Sequence, residues 1–168
     1  IDQPWGEYQA RGQHRLSPLQ FVDALVRSGL GLSGINLEIN IGYRPLGTAS
    51  RDVLDFSRLI DLWSSLGIPI YLTLGFPSCA DQDPRCRTDL EVGTQGWKGD
   101  WNEENQSAWV EMYMPLLLAK PSVVGIYWTH LSDQGTHECP HAGLFRADGS
   151  AKPVVEQFIR QRQSTWDT

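Results

Sequence analysis

The segment Gly34-Ile35-Asn36-Leu37-Glu38-Ile39-Asn40-Ile41-Gly42-Tyr43 alternates strictly between apolar and polar side chains. Leu37, Ile39 and Ile41 fall on one side, and Asn36, Glu38 and Asn40 on the other. That is the two-residue period of a β-strand with two unlike faces. A carboxylate flanked by two amides cannot sit in an apolar core, because burying an unpaired charge is too costly. The polar face is therefore expected to line a cleft or a hydrogen-bonded network.

The same reading extends in both directions. Upstream, Ile1 to Tyr8 reads as a strand end closing on Trp5-Gly6-Glu7-Tyr8, followed by a polar loop. Ser17-Pro18 then supplies an N-cap and a proline suited to the first helical position. Leu19, Val22, Leu25 and Val26 form an apolar stripe that ends at Gly29 or Gly31. Downstream, a helix is expected from near Ser50, with Val53, Phe56, Ile60 and Trp63 at helical spacing. Gly67 stops it, and Ile68 to Leu74 is nearly all apolar, as suits a strand buried on both faces. The next helix begins at Asn102, an N-cap followed by Glu103 and Glu104, whose charges complement the helix dipole. Pro115 is expected to kink that helix and Lys120-Pro121 to end it. A fourth strand, Val123 to Trp128, leads to a turn at Ala147-Asp148-Gly149 and a last helix from Pro153 to about Gln161. Strand and helix thus alternate four times over residues 1–168, read as a single domain. The expectation is an α/β fold with parallel strands, a (βα)4 half-barrel. A complete (βα)8 barrel of the TIM type takes about 250 residues. This one would be completed by dimerisation or by an N-terminal half missing from the chain.

Composition narrows the function classes. A net charge of −6, with no basic cluster, argues against nucleic acid. No apolar run approaches the roughly 20 residues of a membrane span. The abrupt start at Ile1 leaves a targeting segment undecided, so a secreted or periplasmic location stays open. Seven Trp residues suit stacking on sugar rings, although Trp fills cores equally well. The three cysteines, Cys79, Cys86 and Cys139, leave three readings open. Cys79 and Cys86 could bridge within one loop, the His137-Glu138-Cys139-Pro140-His141 run could join a zinc site, or all three are free thiols. The expectation is no metal and no cofactor.

The strand ends carry the chemistry. Trp5, Glu7 and Tyr8 follow the first strand, and Glu38, Asn40 and Tyr43 lie at the second. Ser78 follows the third, and Trp128, His130 and Asp133 follow the fourth. The strand starts (Gly34, Ile68, Val123) are bland. The long stretch from Cys79 to Trp101 is expected to be functional, with Trp97 and Trp101 anchoring it. Two carboxylates, Glu38 and Glu7, facing aromatic side chains suit hydrolysis of a glycosidic bond: one protonates the departing oxygen, and the other attacks the anomeric carbon or activates water. Trp5, Tyr8, Tyr43, Trp97, Trp101 and Trp128 are candidate sugar contacts, with Asn40, His130 and Asp133 as polar ones.

The last unit, Val124-Gly125-Ile126-Tyr127-Trp128-Thr129-His130-Leu131-Ser132-Asp133, continues into Gly143-Leu144-Phe145, Asp148-Gly149 and Lys152-Pro153. It resembles the C-terminal half of clan A glycoside hydrolases, closest to the family-ten xylanases. Gly34 to Asn40 is similar to that family's sixth strand, which makes Trp5 to Tyr8 the end of the fifth and Ile68 to Ser78 the seventh. The resemblance implies hydrolysis of β-linked saccharides with retention. It also shows a departure, because Thr73 is followed by Leu74 where the family carries its nucleophilic Glu. Either Glu38 or Glu7 takes over that role, or the chain is a non-catalytic carbohydrate-binding or interaction module. In a homodimer closing one barrel, Glu38 and the second copy's Glu7 would stand three strands apart, the separation the family uses.

Overall fold

The computed structural model describes residues 1–6 and 16–166. Its central sheet is parallel, with strands β1 (Ile35–Asn40), β3 (Ile70–Gly75) and β5 (Val123–Trp128) in the order β1-β3-β5. Glu38 lies opposite Thr73, and Thr73 opposite Tyr127. Helices α1 (Pro18–Arg27), α2 (Val53–Ser64), α3 (Glu103–Leu118) and α4 (Val154–Trp166) alternate with these strands. A two-stranded ribbon of β2 (Tyr43–Arg44) and β4 (Glu91–Val92) ties the first loop to the long one. The fold is α/β, part of a TIM-type barrel, and its sheet is not closed.

Among the described residues, the expected first strand is represented by one parallel bridge, Asp2 opposite Glu38. It is held by the Glu38 N–H donating to the Ile1 carbonyl at 2.8 Å. Glu7 and Tyr8 lie outside the described residues.

The helices start where local chemistry directs. Ser17 and Gln20 form a reciprocal capping box at α1, and Asn102 accepts from the Asn105 N–H at α3. α2 begins three residues later than the Ser50 estimate, because Asp52 is the residue that caps it. α3 carries Pro115 inside it and runs on to Leu118 with Ala119 as its C-cap, stopping just before Lys120-Pro121 as expected.

The core lies between the helices and one face of the sheet. Leu37, Ile39, Ile70, Leu72 and Leu74 meet Phe56, Ile60 and Trp63 of α2 and Trp109, Tyr113 and Leu117 of α3 there. The opposite face is open. Tyr71 and Tyr127 stack on it with 37% and 57% of their surfaces exposed, and Thr73 donates to the Asn36 Oδ1 at 3.1 Å. The expectation that β3 is buried on both faces is therefore corrected: its inner face would be covered only inside a complete barrel.

Candidate active site

Parallel strands deliver all their C-terminal ends to one side of the sheet, and there the loops 41–52, 76–102 and 129–153 meet. Glu38 and Asn40 both lie on the inner face of β1. The Asn40 Nδ2 donates to the Glu38 Oε1 at 2.7 Å. Among the described residues no Arg or Lys pairs with Glu38. The carboxylate lines a cavity of about 370 Å³, walled by Asp2, Pro45, Leu46, Asp89, Glu138 and Cys139. Thr88, Asp89 and Leu90 are shared with a second cavity of about 590 Å³, lined by Asp81, Gln82, Cys86, Glu91, Val92 and Pro140. The cavity beside Glu38 is the groove at the strand ends, and the second cavity borders the same Thr88 to Leu90 segment.

The other candidate side chains divide sharply. Trp97 and Trp101 are each only 6% exposed, and both set their rings edge-on to Phe76, which begins the long loop. The Trp101 indole also donates to the Gly93 carbonyl at 2.6 Å. These two Trp residues close the long loop onto the core, and their faces are unavailable to a sugar in this structure. Tyr43 is 2% exposed and donates to the Pro140 carbonyl at 2.7 Å. Burial, with the charges of Cys139 and Asp133 beside it, holds its phenol well above the usual tyrosine range. Trp128 packs against Phe158 and donates to the Ala142 carbonyl. Trp5 meets the Phe56 edge and carries the Arg51 guanidinium over its ring at 5.5 Å. Of the aromatic candidates in the described residues, none lines the groove beside Glu38.

Asp133 is a structural hub. It accepts from the His130 ring at 3.0 Å, the Gly143 N–H at 2.8 Å and the Lys152 ammonium at 2.6 Å. Burial raises its pKa, but those hydrogen bonds and the Lys152 charge more than reverse this, holding the carboxyl far below the usual range. Lys152, 3% exposed, also donates to the Ser78 hydroxyl at 2.8 Å. A second hub lies alongside: Asp83 accepts from the His137 Nε2 at 2.8 Å and the His141 N–H at 3.1 Å. Burial pushes Asp83 up as well, and its backbone and histidine hydrogen bonds overcome that to leave it lowered. The two hubs meet where the His130 and His137 rings stack, 4.5 Å apart and 8° from parallel.

His130, Asp133 and His137 bring possible ligand atoms within 4.8 Å of one another. They do not suit a metal ion. In-plane lone pairs of parallel stacked rings do not converge on one point. Both His137 nitrogens are already engaged, by Asp83 and by the Gly135 carbonyl at 2.9 Å, and Asp133 is bound to Lys152. Cys139 is buried and accepts from the Thr129 hydroxyl, and burial pushes its thiol up to about 11. All three cysteines are free thiols.

From the sequence, Asp83 and Lys152 do not stand out as site residues, and His137 does so only within the possible zinc run His137-Glu138-Cys139-Pro140-His141. Lys152 enters the sequence reading only through the Lys152-Pro153 pair of the family resemblance, which says nothing of its partner Asp133.

No family model matches the sequence, and none of the curated proteins matches it. Solved structures do. The chain is similar to xylanase 10B from Thermotoga petrophila RKU-1, solved with xylobiose, at 19% identity and a TM-score of 0.59, over 86% of this chain and 40% of that one. It is similar to an intracellular xylanase of Thermoanaerobacterium saccharolyticum at 18% identity and a TM-score of 0.53, over 83% and 37% of the two chains. A β-glucuronidase of Bifidobacterium dentium matches at 17% identity and a TM-score of 0.53, over 80% and 21%. The neighbours are TIM-barrel glycosidases, and this chain spans less than half the length of each. At these identities the likeness establishes the fold.

Proposed function

We propose that this chain binds β-linked saccharides in the groove at the strand ends and hydrolyses them with retention, Glu38 being the carboxylate at the reacting centre. The observation that carries the reading is Glu38 itself. It is half-buried, oriented by Asn40, without a cationic partner among the described residues, and open to a cavity of about 370 Å³. Carboxylates in partly dry clefts serve as the nucleophile or acid/base of glycoside hydrolysis. The glycosidase neighbours support the reading through their shared architecture.

Hydrolysis adds water across the C–O glycosidic bond and needs a second carboxyl group. Glu7 is our candidate for it, contributed by a second copy whose strands close the barrel. The experiment is turnover of aryl β-glycosides by wild type, Glu38→Gln and Glu7→Gln. Removing a positioned proton-transfer or nucleophilic group is expected to cost about 10²–10⁴ in rate. Equal rates in all three proteins would reject catalysis by these residues.

One observation favours the alternative, a non-catalytic saccharide-binding module. Leu74, at the strand position where the resembled family carries its nucleophile, is an aliphatic side chain fully buried in the core. Binding of oligosaccharide without turnover would identify that module.

A further inference from the structure

His137 sits between two hydrogen-bond acceptors. Its Nε2 lies 2.8 Å from the Asp83 carboxylate, and its Nδ1 lies 2.9 Å from the Gly135 carbonyl. Neither acceptor has a proton to give. A carbonyl never does, and Asp83 is held ionised by the Arg85 and His141 N–H groups that also donate to it. A neutral imidazole carries one N–H and one bare lone pair. It satisfies one of these contacts and turns a lone pair on oxygen in the other. The imidazolium donates in both. The side chains of His137 and Asp83 are 2% and 4% exposed, which leaves little room for water to supply a missing donor.

The other groups around the ring need no second proton. His130 stacks on His137 with the rings 4.5 Å apart. Its Nε2 meets one acceptor, Asp133, at 3.0 Å, so a single ring proton serves it. A second cation that close to the first would also repel it. Asp133 is matched by Lys152. His141 has its Nδ1 3.5 Å from Asp83 and its Nε2 3.0 Å from the Asp81 carbonyl, and a proton on Nε2 makes the shorter contact. Arg85, Arg87 and Glu138 are exposed, and solvent screens their charges.

The Asp83–His137 contact joins two loops. Asp83 belongs to the long loop and His137 to the last one. Cys86 and His137 form a parallel bridge, in which the Arg87 N–H donates to the His137 carbonyl at 2.9 Å. One residue on, the Glu138 carbonyl accepts from the Thr88 hydroxyl at 2.7 Å. The residues that continue this seam are walls of the cavity beside Glu38: Thr88, Asp89 and Leu90 on one side, Glu138 and Cys139 on the other.

We infer that His137 is an imidazolium at neutral pH and acts as a charged latch, a positioning residue that holds two walls of the Glu38 cavity against each other. The latch is closed between the acid range, where Asp83 takes up a proton, and the alkaline range, where His137 gives one up to solvent. Above that range one of the two ring hydrogen bonds is lost and the seam loosens. The inference goes beyond the saccharide reading and stands whatever ligand the cavity takes.

The test is ¹⁵N–¹H correlation spectroscopy of the imidazole rings in the full wild-type chain at about pH 7.5, where an ordinary histidine, titrating near 6.5, is neutral. With the rings assigned through the backbone, His137 should show two protonated nitrogens, and His130 and His141 one each. In Asp83→Asn the new amide can donate to Nε2, so His137 should revert to a single ring proton. Raising the pH until wild-type His137 loses its second proton should lower the hydrogen-exchange protection of the Arg87 N–H about tenfold or more, as expected for one hydrogen bond to a charged group. The amides of β3 should keep theirs. His137→Gln should show the lowered Arg87 protection already at neutral pH, with no further step as pH rises. A bare nitrogen on wild-type His137 at about pH 7.5 would overturn the inference. So would a ring that gives up its proton with no change at Arg87, because the charge would then hold nothing together. Both decisive measurements are made on the wild-type chain and do not depend on the variants folding.

Discussion

Lys152 shows how much of this end of the molecule depends on single charges. Its side chain is 2% exposed, and the ammonium lies 2.6 Å from an Asp133 oxygen on a side chain 8% exposed. Removing one partner of such a pair strands the other, at a cost of about 3–5 kcal/mol. Lys152→Met is therefore expected to lower stability by that amount in denaturant unfolding, and a loss below 1 kcal/mol would mean that Asp133 does not depend on it. Acid should act on the same hub. The folded pKa values of Asp133 and Asp83 lie below their unfolded values, near 4. As pH falls below that, the unfolded chain takes up protons that the folded one refuses. The stability these carboxylates supply is complete above the unfolded pKa and drains away as pH drops through the lower folded values. Thermal unfolding followed from neutral pH to about pH 2 should show a steep loss in wild type and a flatter profile in Lys152→Met. None of this was readable in the sequence. Asp133 and Lys152 are 19 residues apart and Asp83 and His137 are 54 apart, and no local periodicity announces such pairings.

The elements themselves were largely legible, because their signals are local. Ser17 with Gln20, and Asn102 with its acidic first turn, mark helix starts through neighbours three residues away. The apolar stripe of α2 predicted which of its faces would be covered, and Phe56, Ile60 and Trp63 are fully buried there. The aromatic residues of the long loop were not legible. A Trp that stoppers a core and a Trp that stacks on a sugar look alike until Phe76 is placed against Trp97 and Trp101. At strand ends the close contacts are equally specific. A Cβ on Gly75 would collide with the Asn40 Oδ1, and Asn40 is what holds Glu38. Gly75→Ala should therefore displace the amide and lower activity on aryl glycosides severalfold, at a stability cost of about 1–3 kcal/mol for overpacking. Because both changes act through one contact, adding Asn40→Ala to Gly75→Ala should lower activity little further. Full additivity in that cycle would separate Gly75 from Glu38.

At the scale of the whole molecule, the open sheet decides what can be expected in solution. The alternation of strands and helices foretold a parallel sheet with an uncovered edge, and among the described residues β5 is paired on one side only. The inner face beside it shows the stacked Tyr71 and Tyr127, and Val124 is 53% exposed in β5 itself. Exposed strand edges next to apolar surface favour association, and a two-fold pair of half-barrels would close both edges at once. If a second copy supplies the other half, sedimentation equilibrium at micromolar concentration should give twice the chain mass. A stable interface of this kind buries at least about 1,000 Å². Tyr127 projects from the face that would be covered, so Tyr127→Asp should shift the equilibrium to monomer without lowering the helical signal of the isolated chain. Aryl glycoside turnover should fall with it, because a monomer brings only one set of carboxylates to the groove. A wild-type chain that sediments as a monomer yet retains turnover would place both carboxyl groups in one copy. Glu138 and Asp89, which share the cavity with Glu38, would then be the residues to substitute.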